Sequence, residues 1–191
     1  MKSPIFAPFP AARFRRIRHT SRTRALVREN SLTTDDLIWP MFVCDGENEK
    51  QQVTSMPGVT RQSVDLIVET AKEAVDLGIP AICLFPYTDP SLKTSDCAEA
   101  WNPHNLSNKA TRAIKKSVPN ITVMTDVALD PYNIDGHDGF LIGDNIINDK
   151  TVEALVKQAL SQAEAGADII GPSDMMDGRI SAIRSALEVH G

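Results

Sequence analysis

The hydrophobic pattern of the chain consists of four short apolar runs separated by longer amphipathic segments. The runs LIWPMFV, AICLFP, ITVMTDV and ADIIGP occupy residues 37–43, 81–86, 121–127 and 167–172. None of them alternates cleanly between apolar and polar residues, which is typical of parallel strands that are covered on both faces. The pattern therefore predicts four buried strands.

Helical periodicity fills the segments between and after these strands. Residues 63–78 carry their apolar side chains along one helical face, and Gly78 supplies a stop signal. Residues 149–166 repeat the arrangement, with a stop at Gly166 and an apolar stripe at 152, 155, 156, 159 and 163. Three further helices are predicted, at 21–30, 105–118 and 178–191.

Strands that alternate with helices predict a parallel sheet with right-handed crossovers. One architecture that fits is a small, open, doubly wound sheet. The other is the first half of a (β/α)8 TIM barrel, which typically takes about 250 residues. The phosphate-loop patterns GxGxxG and GxxxxGK[ST] do not occur in the chain.

The loops after the first three strands, at 44–62, 87–104 and 128–148, far exceed the roughly 2–6 residues of ordinary connections. Long loops after strands are typical of the catalytic face of a barrel. We therefore expect residues 31–191 to hold about the first four βα units of a TIM barrel. On this interpretation the chain is a fragment.

Charge is distributed unevenly along the chain. Residues 1–28 contain eight basic residues and no acidic ones, although the formal net charge of the whole chain is −5. A nucleic-acid-binding arm and an Arg-rich transit peptide both fit this composition. Nucleic-acid binding is disfavoured because Phe14 is the only aromatic residue among the arginines. We favour a basic arm, residues 1–30, that docks on an acidic surface of a sister subunit. The basic residues are Lys2, Arg13, Arg15, Arg16, Arg18, Arg22, Arg24 and Arg28.

The three cysteines, Cys44, Cys83 and Cys97, are odd in number and form no CxxC pair. This pattern predicts a reducing compartment, here the cytoplasm, without a disulfide framework or a structural zinc site. The start MKSPIFAPFP is a poor secretory signal. No apolar run approaches the roughly 18 residues that a membrane span requires, so no membrane partner is expected.

Candidate chemistry concentrates in the segment DVALDPYNIDGHDG, residues 126–139. Carboxylates placed this close together need a cation, arginines or shared protons to offset their repulsion, and oxygen ligands suit Mg²⁺. Asp126 ends the third strand, where a barrel has its active site, so we predict a functional role for it. Asp135 is interpreted as a solvated turn residue, and for Asp130 both interpretations stay open. Asp138 closes the segment, next to a glycine that allows a turn.

Other polar residues carry weaker signals. His137 is interpreted as a solvated loop residue, since no second His or Cys lies near it in the sequence. Ser173 and Asp174 follow the fourth strand and fit a turn, while Asp177 is the best cap candidate for the last helix. Neither a GxSxG elbow nor a local Ser-His-Asp pattern occurs. Taken alone, these residues predict an α/β enzyme with an acidic pocket.

Five stretches between the arm and Gly191 together resemble the porphobilinogen synthase family, also called 5-aminolevulinate dehydratase. The resemblance implies a TIM barrel that condenses two 5-aminolevulinate molecules, with loss of two waters, into the pyrrole porphobilinogen for tetrapyrrole and heme biosynthesis. The stretches are RTRALVREN…LTTDDLIWPMFV, SMPGVTRQS, NPHNLSNKATRAIK, DVALDPYNIDGHDG and GPSDMMDGRISAIR.

The resemblance also implies roles for individual residues. Asp126 matches the family's active-site aspartate, and Ser173 matches a serine near the first Schiff-base site. Zinc-dependent members carry cysteines at the positions of Ala128, Asp130 and Asp138, so active-site zinc is not expected here. Asp130 and Asp138 are instead expected to bind substrate or an ion. Mg²⁺ is expected in the complete enzyme, at a subunit-interface site whose main ligand lies outside this chain.

In the family, two lysines bind the substrates as Schiff bases. None of the motifs around those lysines occurs in this sequence, and Lys150 and Lys157 belong to a predicted helix and its entry. The resemblance therefore implies that this chain lacks the covalent centre and is inactive alone. It also implies a homo-octamer in which the amino-terminal arm embraces a neighbour.

Two other functions stay open. The chain could be a non-catalytic, arm-bearing module that only associates with full-length subunits. An independent Asp-rich Mg²⁺ phosphotransfer enzyme on an open sheet ranks last. Because a half barrel leaves two open sheet edges, the isolated chain is also expected to be poorly soluble.

Overall fold

The computed structural model describes residues 7–191 of the chain. The first six residues, which include Lys2 and most of the segment tested as a secretory signal, lie outside this range. The described residues fall into two compact units, the first ending at Thr33 and the second running from Thr34 to Gly191.

The first unit contains the helix α1 (Ser21–Leu26). Thr20 caps it, because its Oγ1 accepts a hydrogen bond of 3.1 Å from the Thr23 backbone N–H, while Thr23 Oγ1 accepts one of 3.2 Å from the Thr20 N–H. The prediction of a helix over 21–30 is therefore wrong in its length. None of the α1 residues is buried, and a short helix without a packed face does not extend easily.

The second unit is built on a mixed, mostly parallel sheet of six strands in the order β2-β3-β1-β4-β5-β8. The four predicted strands are confirmed as β1, β4, β5 and β8. A separate hairpin is formed by β6 and β7. The strands are β1 (Ile38–Val43), β2 (Lys50–Gln52), β3 (Thr60–Gln62), β4 (Ala81–Pro86), β5 (Thr122–Val127), β6 (Leu141–Ile142), β7 (Asn145–Ile146) and β8 (Ile169–Pro172).

Two of the expected loops contain strands, which corrects the sequence prediction. β2 and β3 lie within 44–62, and the β6–β7 hairpin lies within 128–148. β3 runs parallel to β1, with Arg61 opposite Phe42, and β2 pairs antiparallel with β3. The sequences KQQ and TRQ have no apolar run, so these strands exist through backbone pairing at the edge of β1, which periodicity does not reveal.

Four helices cover one face of the sheet and confirm the predicted ones with small shifts at their ends. α2 packs on α3, α3 on α4, and α4 on α5, in the order of the chain. The parallel strands β1, β4, β5 and β8 are also neighbours in chain order. A doubly wound sheet reverses its strand order and carries helices on both faces. The observed order is instead that of a segment of a (β/α) barrel. The helices are α2 (Val64–Asp76), α3 (Leu106–Ser117), α4 (Asn148–Glu164) and α5 (Arg179–His190).

The core lies between this helical layer and the sheet. Leu84 and Val123 pack against α2 and α3, whereas Val127 belongs to a second cluster formed with α4 and α5. On the opposite face, Ile38 and Ile169 remain 50% and 40% exposed. Within residues 7–191, β2 and β8 form the two edges of the sheet. The low solubility expected for such edges stays a prediction.

No helix among residues 7–191 combines the length and the apolar character needed to cross a membrane. Cys44, Cys83 and Cys97 are all buried and free.

Candidate active site

Asp126 lies near the carboxyl end of β5, on the face of the sheet opposite the helices. Burial alternates strictly along β5, and Val123, Thr125 and Val127 are the residues buried toward the helices. The carboxylate of Asp126 therefore points away from the helical layer. The prediction that the strand is covered on both faces is corrected for β5, because the residues on its second face are only half-buried.

Ser173 donates a hydrogen bond of 2.6 Å from its Oγ to Asp126 Oδ1. The parallel register of β5 and β8 places Asp126 opposite Gly171, and the Ser173 N–H continues the ladder to the Val127 carbonyl at 3.2 Å. The two residues lie 47 positions apart in the chain. They meet because Asp126 lies near the end of β5 and Ser173 directly follows β8, the strand that pairs with β5.

The surroundings of Asp126 favour its protonated form. Burial is the main cause that raises the pKa of this carboxyl group, and the charges of Asp130, Asp138 and Asp174 raise it further. The hydrogen bond from Ser173 acts in the opposite direction, because it stabilises the carboxylate. Because of this raised pKa, Asp126 keeps its proton to a higher pH than an ordinary aspartate does, and it can exchange that proton with a bound molecule.

Asp130 and Asp138 belong to the same electrostatic cluster. Desolvation and then the charge of Asp138 raise the pKa of Asp130, whereas Lys93 lowers it. Lys93 Nζ also donates a long hydrogen bond of 3.5 Å to the Asp130 backbone carbonyl. Asp130 itself is exposed and Asp138 is half-buried, so the structure brings these predicted residues near Asp126 without burying them.

The loop that carries these aspartates is held by buried groups. Tyr132 is fully buried, and Asn133 Nδ2 donates a hydrogen bond of 3.1 Å to the Gly139 carbonyl. A Cβ at Gly139 would lie 2.7 Å from Ile146 Cγ2 and 3.1 Å from Met176 Cε. Gly139 is therefore required for close packing, whereas Gly136, with φ of +68°, serves the turn.

The remaining predicted loop residues are not part of this cluster. Asp135 and His137 are exposed, in agreement with their interpretation as solvated residues. The prediction that Asp177 caps α5 is wrong, because the helix begins after Gly178 without a side-chain cap. The Asp177 N–H instead donates to Asn148 Oδ1 at 2.8 Å. The buried Asp174 carboxylate pairs with Arg179 at 3.0 Å.

Two glutamines of α4 hold the end of β5, and sequence analysis did not identify them. Gln162 Nε2 donates to the Asp126 carbonyl at 2.8 Å, and Gln158 Nε2 donates to the Ala128 carbonyl at 3.2 Å. Both glutamines are completely buried. The predicted apolar stripe of α4 is rotated in the structure, since the buried face includes these residues and Thr151 rather than Val152. The sequence does contain a signal for them: two side-chain amides lie four positions apart, on one face of a predicted helix, and each is next to a small residue.

A cavity of about 290 Å³ opens beside Asp126 and Asp130. Arg61 of β3, Thr88 after β4 and Lys93 line it together with these aspartates. None of the three was predicted as a site residue: Arg61 lies in the stretch SMPGVTRQS, which carries part of the family resemblance but implied no role for it, and Thr88 and Lys93 lie outside the five stretches. The cavity therefore carries both signs of charge.

The carboxylates near Asp126 do not form a metal site among the described residues. Among residues 7–191, no three His, Cys, Asp or Glu side chains converge in a way that could hold a metal ion. Ala128 is a buried, apolar residue, and the aspartates at 130 and 138 provide no thiolate for zinc.

The fold and the site point to one class of protein, the (β/α)-barrel enzymes. The features of this class seen here are parallel strands in sequential order, helices on one face, and a pair of polar side chains at the carboxyl ends of the strands. The model of the delta-aminolevulinic acid dehydratase family matches residues 11–191. The chain belongs to this family, as the resemblance of its motifs predicted.

Individual relatives agree with this assignment. The delta-aminolevulinic acid dehydratase of Bradyrhizobium diazoefficiens is 58% identical to this chain over 95% of its residues. That of Rhodobacter capsulatus is 49% identical over 98% of them. The matched region is 51% and 56% of those proteins, so the chain spans about half the length of the curated relatives it matches.

A solved structure gives the same result for the fold. The delta-aminolevulinic acid dehydratase (porphobilinogen synthase) of Toxoplasma gondii ME49, crystallised in complex with the reaction product porphobilinogen, is similar to this chain with a TM-score of 0.90 and 44% identity. The similarity covers 94% of this chain and 51% of that chain.

Proposed function

We propose that this chain contributes the Asp126 site to a 5-aminolevulinate dehydratase, which condenses two 5-aminolevulinate molecules into porphobilinogen with loss of two waters. The observation that carries the proposal is the hydrogen-bonded pair of Asp126 and Ser173 at the ends of adjacent strands. Family membership over residues 11–191 supports it. In this proposal the chain forms about the first four βα units of an eight-stranded barrel.

Asp126 and Ser173 act on protons in the proposed reaction. Formation of a pyrrole from two amino ketones removes protons from carbon and nitrogen and delivers protons to the departing oxygen atoms. A carboxyl group whose pKa is raised by burial can hold and return such a proton. Ser173 keeps that carboxyl group in one orientation, and Asp130 and Asp138 attract the ammonium group of a substrate.

The covalent centre is proposed to lie outside this chain. An amine that forms a Schiff base needs a lowered pKa, which burial provides. Among residues 7–191 every lysine is exposed or half-buried. Lys157, for example, is exposed and lies over the Trp101 ring at 5.3 Å. We therefore propose that the 191-residue chain alone does not form porphobilinogen.

Other proposed properties concern the complete enzyme. Mg²⁺ is proposed to bind the complete enzyme at a subunit interface whose main ligand lies outside this chain, as the family resemblance implies. Active-site zinc is not proposed, because Ala128, Asp130 and Asp138 provide no thiolate. The basic arm is proposed to mediate a homo-octamer. The cytoplasm is the proposed compartment.

Complementation tests the function. The chain is co-expressed with the carboxyl-terminal half of the Bradyrhizobium diazoefficiens relative, and porphobilinogen formation from 5-aminolevulinate is measured for the chain and for the co-purified pair. We expect turnover by the pair and none by the chain. Asp126→Asn should abolish turnover, whereas Asp135→Asn, an exposed aspartate in the same loop, should preserve it.

The outcomes separate the parts of the proposal. Turnover by the chain alone would disprove the absence of a covalent centre. A stable co-purified pair without turnover would contradict the function and favour a non-catalytic module.

A further inference from the structure

Asn148, the first residue of α4, binds the backbone of Asp177, although the two residues lie 29 positions apart in the chain. Its Oδ1 accepts a hydrogen bond of 2.8 Å from the Asp177 N–H, and its Nδ2 donates one of 3.1 Å to the Asp177 carbonyl. A side-chain amide carries a donor and an acceptor on one group, so this contact fixes both the place and the orientation of Asp177. Asp177 belongs to the β8–α5 loop, residues 173–178.

The β8–α5 loop is braced internally around Asp174. The Oδ1 of this residue accepts a hydrogen bond of 2.7 Å from the Met176 N–H, and its buried carboxylate pairs with Arg179 at 3.0 Å. Arg179 Nη1 also donates to the Met176 carbonyl at 2.9 Å. A displacement of Asp177 is therefore transmitted along a short, braced segment to Ser173, the first residue of the loop.

The first turn of α4 also holds the β5–α4 loop, residues 128–147, which carries the aspartates of the site. Thr151 of this turn accepts a hydrogen bond of 3.0 Å at its Oγ1 from the Phe140 N–H. Beside it the two loops are in contact, because a Cβ added at Gly139 would lie 3.1 Å from Cε of the buried Met176. One turn of helix thus fastens both loops.

The sheet holds Ser173 on one side only. Its backbone N–H donates to the Val127 carbonyl at 3.2 Å, at the end of the ladder between β5 and β8. Ser173 is exposed, so water competes for its hydroxyl group. The ordered 2.6 Å hydrogen bond to Asp126 costs conformational entropy, and this cost is smaller when the loop beyond Ser173 is already fixed. The contact between Asn148 and Asp177 fixes that loop.

We propose that Asn148 is a positioning residue for the pair of Asp126 and Ser173. By holding Asp177, it keeps the β8–α5 loop in the place from which the Ser173 hydroxyl donates to Asp126. Asn148 acts through the loop rather than on the substrate. In giving this contact a role in catalysis, the inference rests on the proposed function.

Three variants test the role. Asn148→Ala removes both hydrogen bonds to Asp177 and leaves a strong helix former at the start of α4. Asn148→Asp keeps the acceptor but replaces the donor with an oxygen that the Asp177 carbonyl repels, and aspartate is favoured in the first turn of a helix. Asn145→Ala is the matched control, because it removes an exposed asparagine of β7 three positions earlier.

The titration of Asp126 reports the position of Ser173. In the 191-residue chain, Asn148→Ala should raise the pKa of Asp126, because the hydrogen bond from Ser173 lowers this pKa and the variant weakens that bond. A ¹³C NMR titration of the carboxyl group measures the shift, and Asn145→Ala should give none. The charges that raise this pKa are the same in both variants, namely those of Asp130, Asp138 and Asp174.

A double-mutant cycle separates positioning from a merely structural role. In the Ser173→Ala background Asn148→Ala has no hydrogen bond to weaken, so its effect on the pKa of Asp126 should vanish. A variant that only lowers the Tm would shift this pKa equally in both backgrounds. If Asn148→Ala does not fold, Asn148→Asp still decides the question, because the direct effect of its new charge is common to both backgrounds and cancels in the cycle.

The outcomes distinguish this role from the proposed function. In the complemented enzyme, Asn148→Ala should lower kcat about tenfold, the effect of roughly one hydrogen bond, and change KM less. An unchanged pKa of Asp126, or an equal shift in both backgrounds, would overturn the role of Asn148 even where the co-purified pair makes porphobilinogen. A shift that depends on Ser173, together with a pair that makes no porphobilinogen, would reject the function and leave the positioning contact in place.

Discussion

Gln162 holds Asp126 through the protein backbone, 36 positions away in the chain. Its Nε2 donates to the Asp126 carbonyl at 2.8 Å, while its Oε1 accepts a hydrogen bond of 2.9 Å from Thr125 Oγ1. One buried amide therefore satisfies two consecutive residues of β5 at the strand end that presents the carboxylate.

Replacement of Gln162 by leucine tests this relationship. Gln162→Leu leaves the Thr125 hydroxyl and the Asp126 carbonyl without their partner, so we expect a loss of about 1–3 kcal/mol in the free energy of unfolding. In the complemented enzyme kcat should fall more than KM changes, and the acid limb of the pH profile should move with the pKa of Asp126.

The matched control is Gln158→Leu, which removes a similar buried amide bound to the Ala128 carbonyl. It should lower stability by a comparable amount without moving that pH profile. Equal effects of both variants on the profile would contradict a specific positioning role for Gln162.

Loss of the Ser173 hydroxyl should change the titration of Asp126. The hydrogen bond from Ser173 lowers the pKa of Asp126 and partly offsets the effect of burial. Ser173→Ala therefore should raise this pKa further. A ¹³C NMR titration of the Asp126 carboxyl group measures the shift, with the exposed Ser181→Ala as the control. An unchanged or lower pKa would show that the 2.6 Å contact does not stabilise the carboxylate.

The raised pKa of Asp126 has a defined effect on stability. The folded protein holds the Asp126 proton more tightly than the unfolded chain, because burial disfavours the charge. The resulting stabilisation is fully present below the ordinary pKa of aspartate and is lost as the pH rises through the folded-state pKa. Asp126→Asn should therefore be more stable than the unmodified chain at neutral pH, and the difference should shrink in acid.

Urea unfolding across this pH range measures the difference. Asp65→Asn is a control of opposite sign, because a hydrogen bond with Ser63 lowers the pKa of Asp65. Its stability relative to the unmodified chain should decrease as the pH rises. A constant difference for Asp126→Asn at every pH would contradict the assignment.

Gly139 should tolerate no side chain. In Gly139→Ala the new Cβ would lie 2.7 Å from Ile146 Cγ2, and overpacking of this kind lowers stability by about 1–3 kcal/mol. Displacement of the loop should also move Asp138. Gly136→Ala has open space around it but a φ of +68°, so it should lower stability by about 1 kcal/mol through backbone strain alone. Chemical denaturation, with amide shifts of Asp138, measures both variants.

Part of the site was predictable from local pattern. Asp126 was identified because it ends an apolar run, and in a parallel sheet such an end lies at the functional edge. Its partner Ser173 was reached through family resemblance, since only the register of β5 and β8 makes a contact between them visible. Gln162 has the sequence context of an ordinary helix residue. Its role depends on the Asp126 carbonyl that it contacts, and that carbonyl lies in a distant segment of the chain.

The sequence by itself determined the four buried strands, the helices between them and the family, because apolar periodicity and local motifs depend on neighbouring residues in the chain. The DVALDPYNIDGHDG segment could likewise be assigned to the end of a strand. Only the tertiary structure decided that β2 and β3 pair at the edge of β1, and that Arg61 faces the cavity beside Asp126. Strand register and cavity walls depend on contacts between segments distant in sequence, and those contacts leave no periodic signal in the chain.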